Sequence, residues 1–509
     1  MSAKTNLTRP RVGLVMGPLA FIIFYAGNPV GLEPEAAAVL ASTLWVVIWW
    51  ISEAIPIPVT SLLPIVLFPL TGVMPIGSTT APYADPIIFL LLGGFLLALA
   101  IERWNLHHRL SLLIISGVGT SGRGLVLGFM GATAFLSMWI SNTATAMMMV
   151  PIGAAVIVEL SMIGGRRVPP LDRDILEEPN IPTDIEGELV YEIEQDPAEL
   201  PNTSFGIALM LGIAFGASIG GAATLIGSPP NAVLAGVAEA NLGIQIGFLE
   251  WMLVGVPLAV VFLAITWVLL VAVLRPKIDK QPGREDVIQE QLDELGSMTT
   301  GERRVLGVFG LVAGAWMLRP FLLEPIFPML TDAMIAVAGA ILVFLVPVDG
   351  GRMLDWEYST RVPWGVLLLL GAGFSIARAF QESGLDGVIA DYIADLGITE
   401  LSIMILLVAT VVIFLTNVTS NTATASLFMP ITLSIGLAIG VPPLTLMATA
   451  AFAASFAFML PVATAPNAIV FGSGYLSIPQ MAKVGFIITL PAIIVISIFA
   501  IWWIPFVWS

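Results

Sequence analysis

The chain has 509 residues, of which 57% are hydrophobic and only 11% are charged, and its formal net charge is −16. Soluble globular proteins carry about a quarter charged residues, so this composition excludes an ordinary water-soluble protein. The chain has no cysteine, which excludes disulfide bonds and thiolate metal sites.

Apolar segments of membrane-spanning length recur along the chain, for example at 12–25, 36–51, 251–274, 333–346 and 484–503. About twenty apolar residues cross a bilayer as a helix, and a helix that is broken within the membrane crosses it in shorter pieces. We therefore predict an all-α polytopic membrane protein with about 11 transmembrane helices and two re-entrant hairpins. The first apolar segment leads directly into the second without a small-residue cleavage site, so we expect a span there and not a cleaved signal peptide.

The predicted elements divide the chain into two repeats. An N-terminal segment with the first span covers 1–34, and the first repeat covers 35–274. The first repeat contains a hairpin at 124–160, an acidic cytoplasmic loop at 165–203 and a broken helix at 204–240. A cytoplasmic linker at 275–302 precedes the second repeat at 303–509, which contains a hairpin at 398–440 and a broken helix at 444–473. The acidic balance is typical either of a protein from a high-salt organism or of an ordinary acidic loop.

The two repeats share motifs in the same register. The string Ser-Asn-Thr-Ala-Thr occurs at 141–145 and again at 420–424, an offset of 279 residues that also relates Gly94 to Gly373 and Pro151 to Pro430. Further along, Ile-Gly-Ser-Pro-Pro-Asn-Ala at 226–232 matches Val-Ala-Thr-Ala-Pro-Asn-Ala at 462–468, now with an offset of 236 residues. A register that persists over such lengths indicates an internal duplication.

The basic residues predict the orientation. With the N-terminus inside and eleven spans, 18 of the 20 Lys and Arg residues fall on the inner side, and only Arg319 and Arg378 fall outside. This asymmetry is what the positive-inside rule requires. It places the C-terminus outside and gives the two repeats opposite topologies, as in many secondary transporters. We expect a multi-pass protein of the cell membrane with no nucleic-acid partner.

Each Ser-Asn-Thr string lies between two apolar segments that are too short to cross the membrane comfortably. An unwound polar turn at this depth must be buried in protein or line an aqueous cavity. Such a turn exposes carbonyls at the end of the incoming half-helix, which suit a small cation, and N–H groups at the start of the outgoing one, which suit an anion. We expect Thr143 and Thr422 to cap the outgoing half-helices. The alternative is that these polar residues have only a structural role and stabilise helix–helix packing within the membrane.

The Pro-Asn motifs predict a second pair of helix breaks. Pro230 and Pro466 lack an amide donor and are expected to stop a helix, which frees the carbonyls of Gly227 and Ala463. One turn before each hairpin tip stands another hydroxyl, Ser137 or Thr416. Hydroxyl, amide and carbonyl oxygens together form a neutral cage, which suits a monovalent hard cation, whereas a high-affinity calcium site usually includes carboxylates.

At these motifs the sequence resembles the divalent anion–sodium symporter family, which carries dicarboxylates, citrate or sulfate. The resemblance extends over nearly the whole chain. It implies a homodimer in which a transport domain moves against a scaffold domain in an elevator-type stroke. The matching features are Ser-Asn-Thr in both hairpins, Ser-Ile-Gly-Gly at 218–221, Gly-Ser-Pro-Pro-Asn at 227–231, Ala-Thr at 463–464 with Pro-Asn at 466–467, and Glu-Ala-Ile-Pro-Ile-Pro at 53–58.

The resemblance also implies binding residues. Sodium ligands would be Ser137, Ser141, Asn142 and the Gly227 carbonyl in the first repeat, and Thr416, Thr419, Asn421 and the Ala463 carbonyl in the second. The anion would contact Ser141, Asn142, Thr143, Ser228, Ser420, Asn421, Thr422 and Thr464. Ser228 and Ala465 stand where the family often has threonine and proline, and both would line the anion.

The sequence thus predicts a sodium-coupled importer of a small divalent anion, with a C4 dicarboxylate such as succinate or malate as the leading substrate. The residues leave open a sodium-independent dicarboxylate exchanger and a sulfate or citrate transporter of the same fold. An anion channel is a further alternative. An intramembrane enzyme lacks support, because the chain has neither a His-Glu-x-x-His motif nor a Gly-x-Ser-x-Gly elbow.

Overall fold

The computed structural model describes residues 9–118, 121–163, 204–276, 289, 292–348, 351–395 and 400–508. The acidic loop predicted at 165–203 and much of the predicted linker lie outside the described residues. The described chain is almost entirely helical, and its strands are a two-residue pair, Pro347–Val348 and Gly351–Arg352, joined antiparallel.

The helices follow one another closely along the chain. In the first half they are Arg9–Ala26, Pro34–Ser52, Ile57–Thr60, Leu63–Leu70, Ile76–Thr80, Ala81–Ala84, Pro86–Arg103, Leu106–Ser116, Gly122–Ser137, Asn142–Ile163, Ser204–Gly221, Pro229–Leu242 and Phe248–Leu274. In the second half they are Thr300–Leu318, Arg319–Leu323, Asp332–Leu345, Trp356–Ser359, Trp364–Glu382, Leu385–Asp395, Leu401–Thr416, Asn421–Ala438, Pro443–Ser455, Pro461–Ala463, Ala465–Gly472, Ile478–Ile498, Phe499–Trp503 and Ile504–Val507.

Among the described residues, seven helices are long and apolar enough to cross a membrane by length and composition. They are Pro34–Ser52, Ile76–Arg103, Ser204–Gly221, Phe248–Leu274, Thr300–Leu323, Trp364–Glu382 and Ile478–Val507. Shorter apolar helices include Pro10–Ala26, Ile57–Leu70 and Asp332–Leu345. A polytopic, all-α membrane fold follows, while the number of eleven spans stays a prediction.

Four helix pairs position the predicted site, and we name them here. The first hairpin is Gly122–Ser137 with Asn142–Ile163, and the second hairpin is Leu401–Thr416 with Asn421–Ala438. The first broken span is Ser204–Gly221 with Pro229–Leu242, and the second broken span is Pro443–Ser455 with Ala465–Gly472. The tips are residues 138–141 and 417–420, between the arms of each hairpin.

The two halves make matching contacts in the core. Within each half, the first helix of the broken span packs against both arms of the hairpin. Between halves, Pro229–Leu242 packs against the outgoing helix of the second hairpin, and Ala465–Gly472 packs against that of the first. Small residues permit this density: every residue of Ser204–Gly221 after Ser204 is buried, and a Cβ on Gly220 would lie 2.1 Å from the Ala134 carbonyl oxygen.

Candidate substrate and ion site

At the first tip, a hydroxyl, an amide and two backbone carbonyls converge. The Ser137 side chain is fully buried, and its Oγ lies 2.5 Å from Asn142 Oδ1. When the Asn142 amide is turned so that its nitrogen occupies this position, the nitrogen is 3.2 Å from the carbonyl oxygens of both Ala217 and Gly227. The Asn142 side chain therefore has two uses. Its nitrogen can donate to the oxygens around it, or its oxygen can join them around a cation.

At the second tip, the same hydroxyl–amide pair recurs. Thr416 Oγ1, also fully buried, lies 2.7 Å from Asn421 Oδ1 and 2.9 Å from the carbonyl oxygen of Ala454. The hydroxyl and the asparagine are five residues apart in both hairpins, and a carbonyl of the adjacent broken span completes each group. The hydroxyl–amide spacing is thus the same in both groups, whereas the broken-span carbonyls lie beside Asn142 in the first group and beside Thr416 in the second.

The remaining predicted sodium ligands are placed less directly. The Thr419 hydroxyl contacts Thr424 Oγ1 at 2.6 Å and donates to the Leu415 carbonyl oxygen at 2.9 Å, so it is engaged apart from the Thr416–Asn421 pair. Ser141 Oγ accepts a hydrogen bond from the Ala144 N–H at 3.2 Å. The Ser141 backbone carbonyl oxygen is engaged as well, because it accepts from the Thr145 N–H and from the Thr145 hydroxyl, both at 3.0 Å.

The expectation that Thr143 and Thr422 cap the outgoing helices is wrong. These helices begin at Asn142 and Asn421, so Ser141 and Ser420 precede the first helical residue. At the first tip, Ser141 Oγ accepts from the Ala144 N–H, which is the hydrogen bond of an N-terminal cap, so Ser141 takes the position expected of Thr143. The two helix starts still lie at the tips, where Ser141, Asn142, Thr143, Ser420 and Asn421 are half-buried and Thr422 is buried.

The predicted role of the prolines also needs correction. Pro230 and Pro466 do not end the preceding helix, because the first halves of the broken spans already end at Gly221 and Ser455. Both prolines lie in the first turn of the following half-helix, where a missing amide donor costs nothing. The unwound segments between the half-helices are correspondingly longer than the sequence suggested.

Close packing at the first break depends on two glycines. A Cβ on Gly227 would lie 2.6 Å from the Gly221 carbonyl oxygen and 2.9 Å from that of Ser137. A Cβ on Gly221 would lie 2.3 Å from Asn142 Oδ1. Any side chain at these positions would therefore push the break away from the hairpin tip.

Ser228 and Thr464 occupy equivalent positions immediately before the second half-helices. Both have extended backbones, with φ of −142° and −148°. The buried Ser228 Oγ lies 3.3 Å from Ser455 Oγ of the other repeat, whereas Thr464 Oγ1 accepts from the Asn467 N–H at 3.3 Å. Ser228, which was predicted to bind the anion, therefore contacts a residue of the second repeat directly.

Several residues at the site were not predicted as ligands. The carbonyls of Ala217 and Ala454 carry no sequence signal, because helix packing alone decides which carbonyl faces a neighbour. Asn417 connects the second tip to the unwound segment of the second broken span, because its Oδ1 accepts a hydrogen bond from the Met459 N–H at 2.8 Å. The first repeat has Met138 at that position and uses Thr224 instead, whose hydroxyl donates to the Met138 carbonyl.

Comparison with known proteins agrees with this architecture. A family model described as the sodium:sulfate symporter transmembrane region matches residues 11–509. The sodium-dependent dicarboxylate transporter SdcS of Staphylococcus saprophyticus is 41% identical over 503 residues, covering 97% of this chain and 91% of the relative. Its counterpart in Staphylococcus aureus strain MRSA252 is 42% identical over 514 residues, covering 99% and 93%.

A solved structure shares the fold at low sequence identity. Neisseria gonorrhoeae MtrF, described with a class of antimetabolite efflux pumps, superposes with a TM-score of 0.50 at 13% identity, over 98% of this chain and 96% of that one. At this identity the likeness concerns the fold alone. The family model and the curated relatives each span nearly all of the chain, and neither is an enzyme. The chain is therefore a membrane transporter that belongs to the divalent anion–sodium symporter family, whose family model is that of the sodium:sulfate symporters.

Proposed function

We propose that this protein is a secondary active transporter that imports a small divalent anion together with sodium, and that the anion is a C4 dicarboxylate such as succinate or malate. The observation that carries the proposal is the pair of matched hydroxyl–amide groups, Ser137–Asn142 and Thr416–Asn421, at the two hairpin tips. The relatives named as sodium-dependent dicarboxylate transporters support the choice of ion and substrate.

Sodium would occupy the oxygen-rich group at each tip. In the first group, Asn142 turns its oxygen toward Ser137 Oγ and the carbonyls of Ala217 and Gly227, and the ion replaces the amide nitrogen as the positive partner. All of these oxygens are neutral, and the described residues contain no cluster of three acidic, histidine or cysteine side chains that could hold a metal ion. A neutral cage with few ligands favours a monovalent ion over a divalent one.

The anion would bind between the tips at the starts of the outgoing helices. The positive end of each helix dipole favours a carboxylate at this place. Additional hydroxyl donors to the anion would come from Ser141, Thr143, Ser420, Thr422, Ser228 and Thr464. The residues proposed to contact the anion are serines, threonines and asparagines, so bound sodium would supply the compensating positive charge. Because the anion would bind well only when sodium is bound, transport of the anion would be coupled to transport of sodium.

The wider transport cycle belongs to the same proposal. The repeats would be inverted, with the N-terminus cytoplasmic and the C-terminus outside, and the hairpins and broken spans would move as one transport domain in an elevator-type stroke. The protein would be a homodimer in the cell membrane. The dense packing of both hairpins against both broken spans supports their moving together.

The proposal is tested by sodium-stimulated uptake of labelled succinate into proteoliposomes. Asn142→Ala and Asn421→Ala each remove one amide oxygen from a proposed cage, so we expect both variants to lose sodium-stimulated uptake. Unchanged uptake in both variants contradicts the proposal. Competition by sulfate, citrate, malate and succinate, each with and without sodium, identifies the preferred anion.

Two alternatives of the same fold give different results in this assay. A sodium-independent exchanger takes up succinate only when the liposomes are preloaded with a dicarboxylate, and choline replaces sodium without loss. A sulfate or citrate transporter shows stronger competition by that anion than by succinate. An anion channel would give current without counter-transport.

A further inference from the structure

Asn231 and Asn467 hold the two helix breaks in the same conformation. Asn231 Nδ2 donates to the carbonyl oxygens of Gly221 at 2.9 Å and Thr224 at 2.7 Å, ten and seven residues earlier. Asn467 Nδ2 donates to those of Ala457 and Leu460, both at 3.0 Å and again ten and seven residues earlier. Both asparagines are fully buried.

The equivalence extends to the backbone. The Thr224 carbonyl also accepts from the Gly227 N–H at 3.3 Å, and the Leu460 carbonyl accepts from the Ala463 N–H at 3.2 Å. In both breaks, one asparagine amide and one backbone turn therefore share an acceptor. The Gly227 carbonyl belongs to the first proposed sodium site, and the family resemblance implies the Ala463 carbonyl as its counterpart in the second. The orientation of each carbonyl thus depends on the turn that its asparagine fixes.

Asn231 also limits the number of unpaired backbone carbonyls in the first break that could bind an ion. The end of a half-helix exposes several unpaired carbonyls, and each of them would compete for a cation. Asn231 satisfies those of Gly221 and Thr224, while the Gly227 carbonyl stays beside the Asn142 amide at 3.2 Å. Of these three carbonyls, the Gly227 carbonyl is therefore the one that remains available to a cation.

We infer that Asn231 and Asn467 are positioning residues whose side-chain nitrogens preform the two sodium cages. This inference rests on the proposed sodium coupling and deepens it. It distinguishes these residues from Asn142 and Asn421, whose side chains are proposed ligands. It also assigns a role to the asparagine that closes each Pro-Asn motif.

The test uses Asn231→Ala, Asn467→Ala and the matched control Asn241→Ala. Asn241 lies on the same helix as Asn231, and its Nδ2 donates to the Val237 carbonyl oxygen at 2.8 Å near the helix end. Two measurements are made on each full-length protein: the sodium concentration for half-maximal succinate uptake, and the rise in Tm on replacing choline with sodium. Each variant loses two neutral hydrogen bonds that orient the turn, which corresponds to a loss of sodium affinity on the order of tenfold or more.

We expect the half-maximal sodium concentration to rise on the order of tenfold in both break variants, while KM for succinate at saturating sodium changes by less than about twofold. The sodium-dependent rise in Tm should shrink in both variants and stay normal in Asn241→Ala. A lower Tm in choline with an unchanged sodium increment would mean that the asparagines only stabilise the fold, which overturns the inference. A wild-type protein with neither a sodium increment nor sodium-stimulated uptake would contradict the proposed function as well.

Discussion

At the scale of single residues, the site is built from neutral oxygens whose positions depend on the absence of side chains nearby. Gly221 and Gly227 are necessary because the hairpin tip and the helix break meet at backbone distance. The sequence located Ser137, Asn142 and their repeats correctly as neighbours of a polar turn. The sequence could not identify the carbonyls of Ala217 and Ala454 as candidate ligands, because every residue type has a backbone carbonyl.

Gly227→Ala tests this close approach. The added Cβ would lie 2.6 Å from the Gly221 carbonyl oxygen, so the backbone must move. Overpacking typically costs about 1–3 kcal/mol, equivalent to about a fivefold to hundredfold loss of affinity. We expect the sodium concentration for half-maximal uptake to rise within that range. Gly131→Ala is the control on the adjacent hairpin arm, because nothing lies within 4 Å of its Cβ position. Equal behaviour of the two variants would count against the packing argument.

At the scale of elements, the hairpins and helix breaks could be located from the sequence, because polar strings interrupt apolar segments only there. The sequence did not show where each helix begins. Ser141 and Ser420, and not Thr143 and Thr422, directly precede the outgoing helices. Pro230 and Pro466 lie in the first turn of the helices that follow the breaks, whereas the sequence predicted that they stop the preceding helices. Serine, asparagine and threonine can each cap a helix, so a Ser-Asn-Thr string does not show which of its residues takes that position.

A buried ion pair fastens helix Leu106–Ser116 to the start of helix Thr300–Leu318. Arg109 Nε lies 2.7 Å from Glu302 Oε1, and its guanidinium also donates to the carbonyls of Leu295 and Gly296. Removing one partner of a buried pair typically costs about 3–5 kcal/mol, because the other charge stays buried alone. We therefore expect Glu302→Ala to lower the Tm in detergent markedly.

The control for this prediction is Glu382→Ala. Glu382 pairs with Arg378 at 2.8 Å, but both side chains are exposed, at 38% and 44%. An exposed pair four residues apart on a helix is worth only about 0.3–0.5 kcal/mol. If Glu302→Ala lowered the Tm no more than this variant, the ion pair would not fasten the two helices.

At the scale of the whole molecule, residues predicted to share one side of the membrane do meet in space. Arg103 pairs with Asp355 at 2.6 Å, and the Trp104 Nε1–H donates to the Met353 carbonyl at 2.8 Å, so two predicted inner segments are in contact. The contacts between halves, in contrast, could not be read from the sequence. Repeats reveal that two units exist, but their mutual packing depends on which faces are complementary.

The predicted orientation can be tested directly, because the chain has no cysteine of its own. Ser2→Cys and Ser509→Cys place one thiol at each end of the chain. In intact cells, we expect a membrane-impermeant maleimide to label the C-terminal cysteine and to label the N-terminal one only after lysis. Labelling of both cysteines from the same side would contradict an odd number of spans.

The central claim is that sodium binding at the two tips drives dicarboxylate accumulation, and one measurement tests it most directly. Liposomes containing the purified protein and no internal dicarboxylate are given an inward sodium gradient, and labelled succinate inside is followed over time. We predict transient accumulation above the external concentration, which disappears when sodium is equal on both sides. Uptake that needs internal dicarboxylate and proceeds equally well in choline would contradict the account.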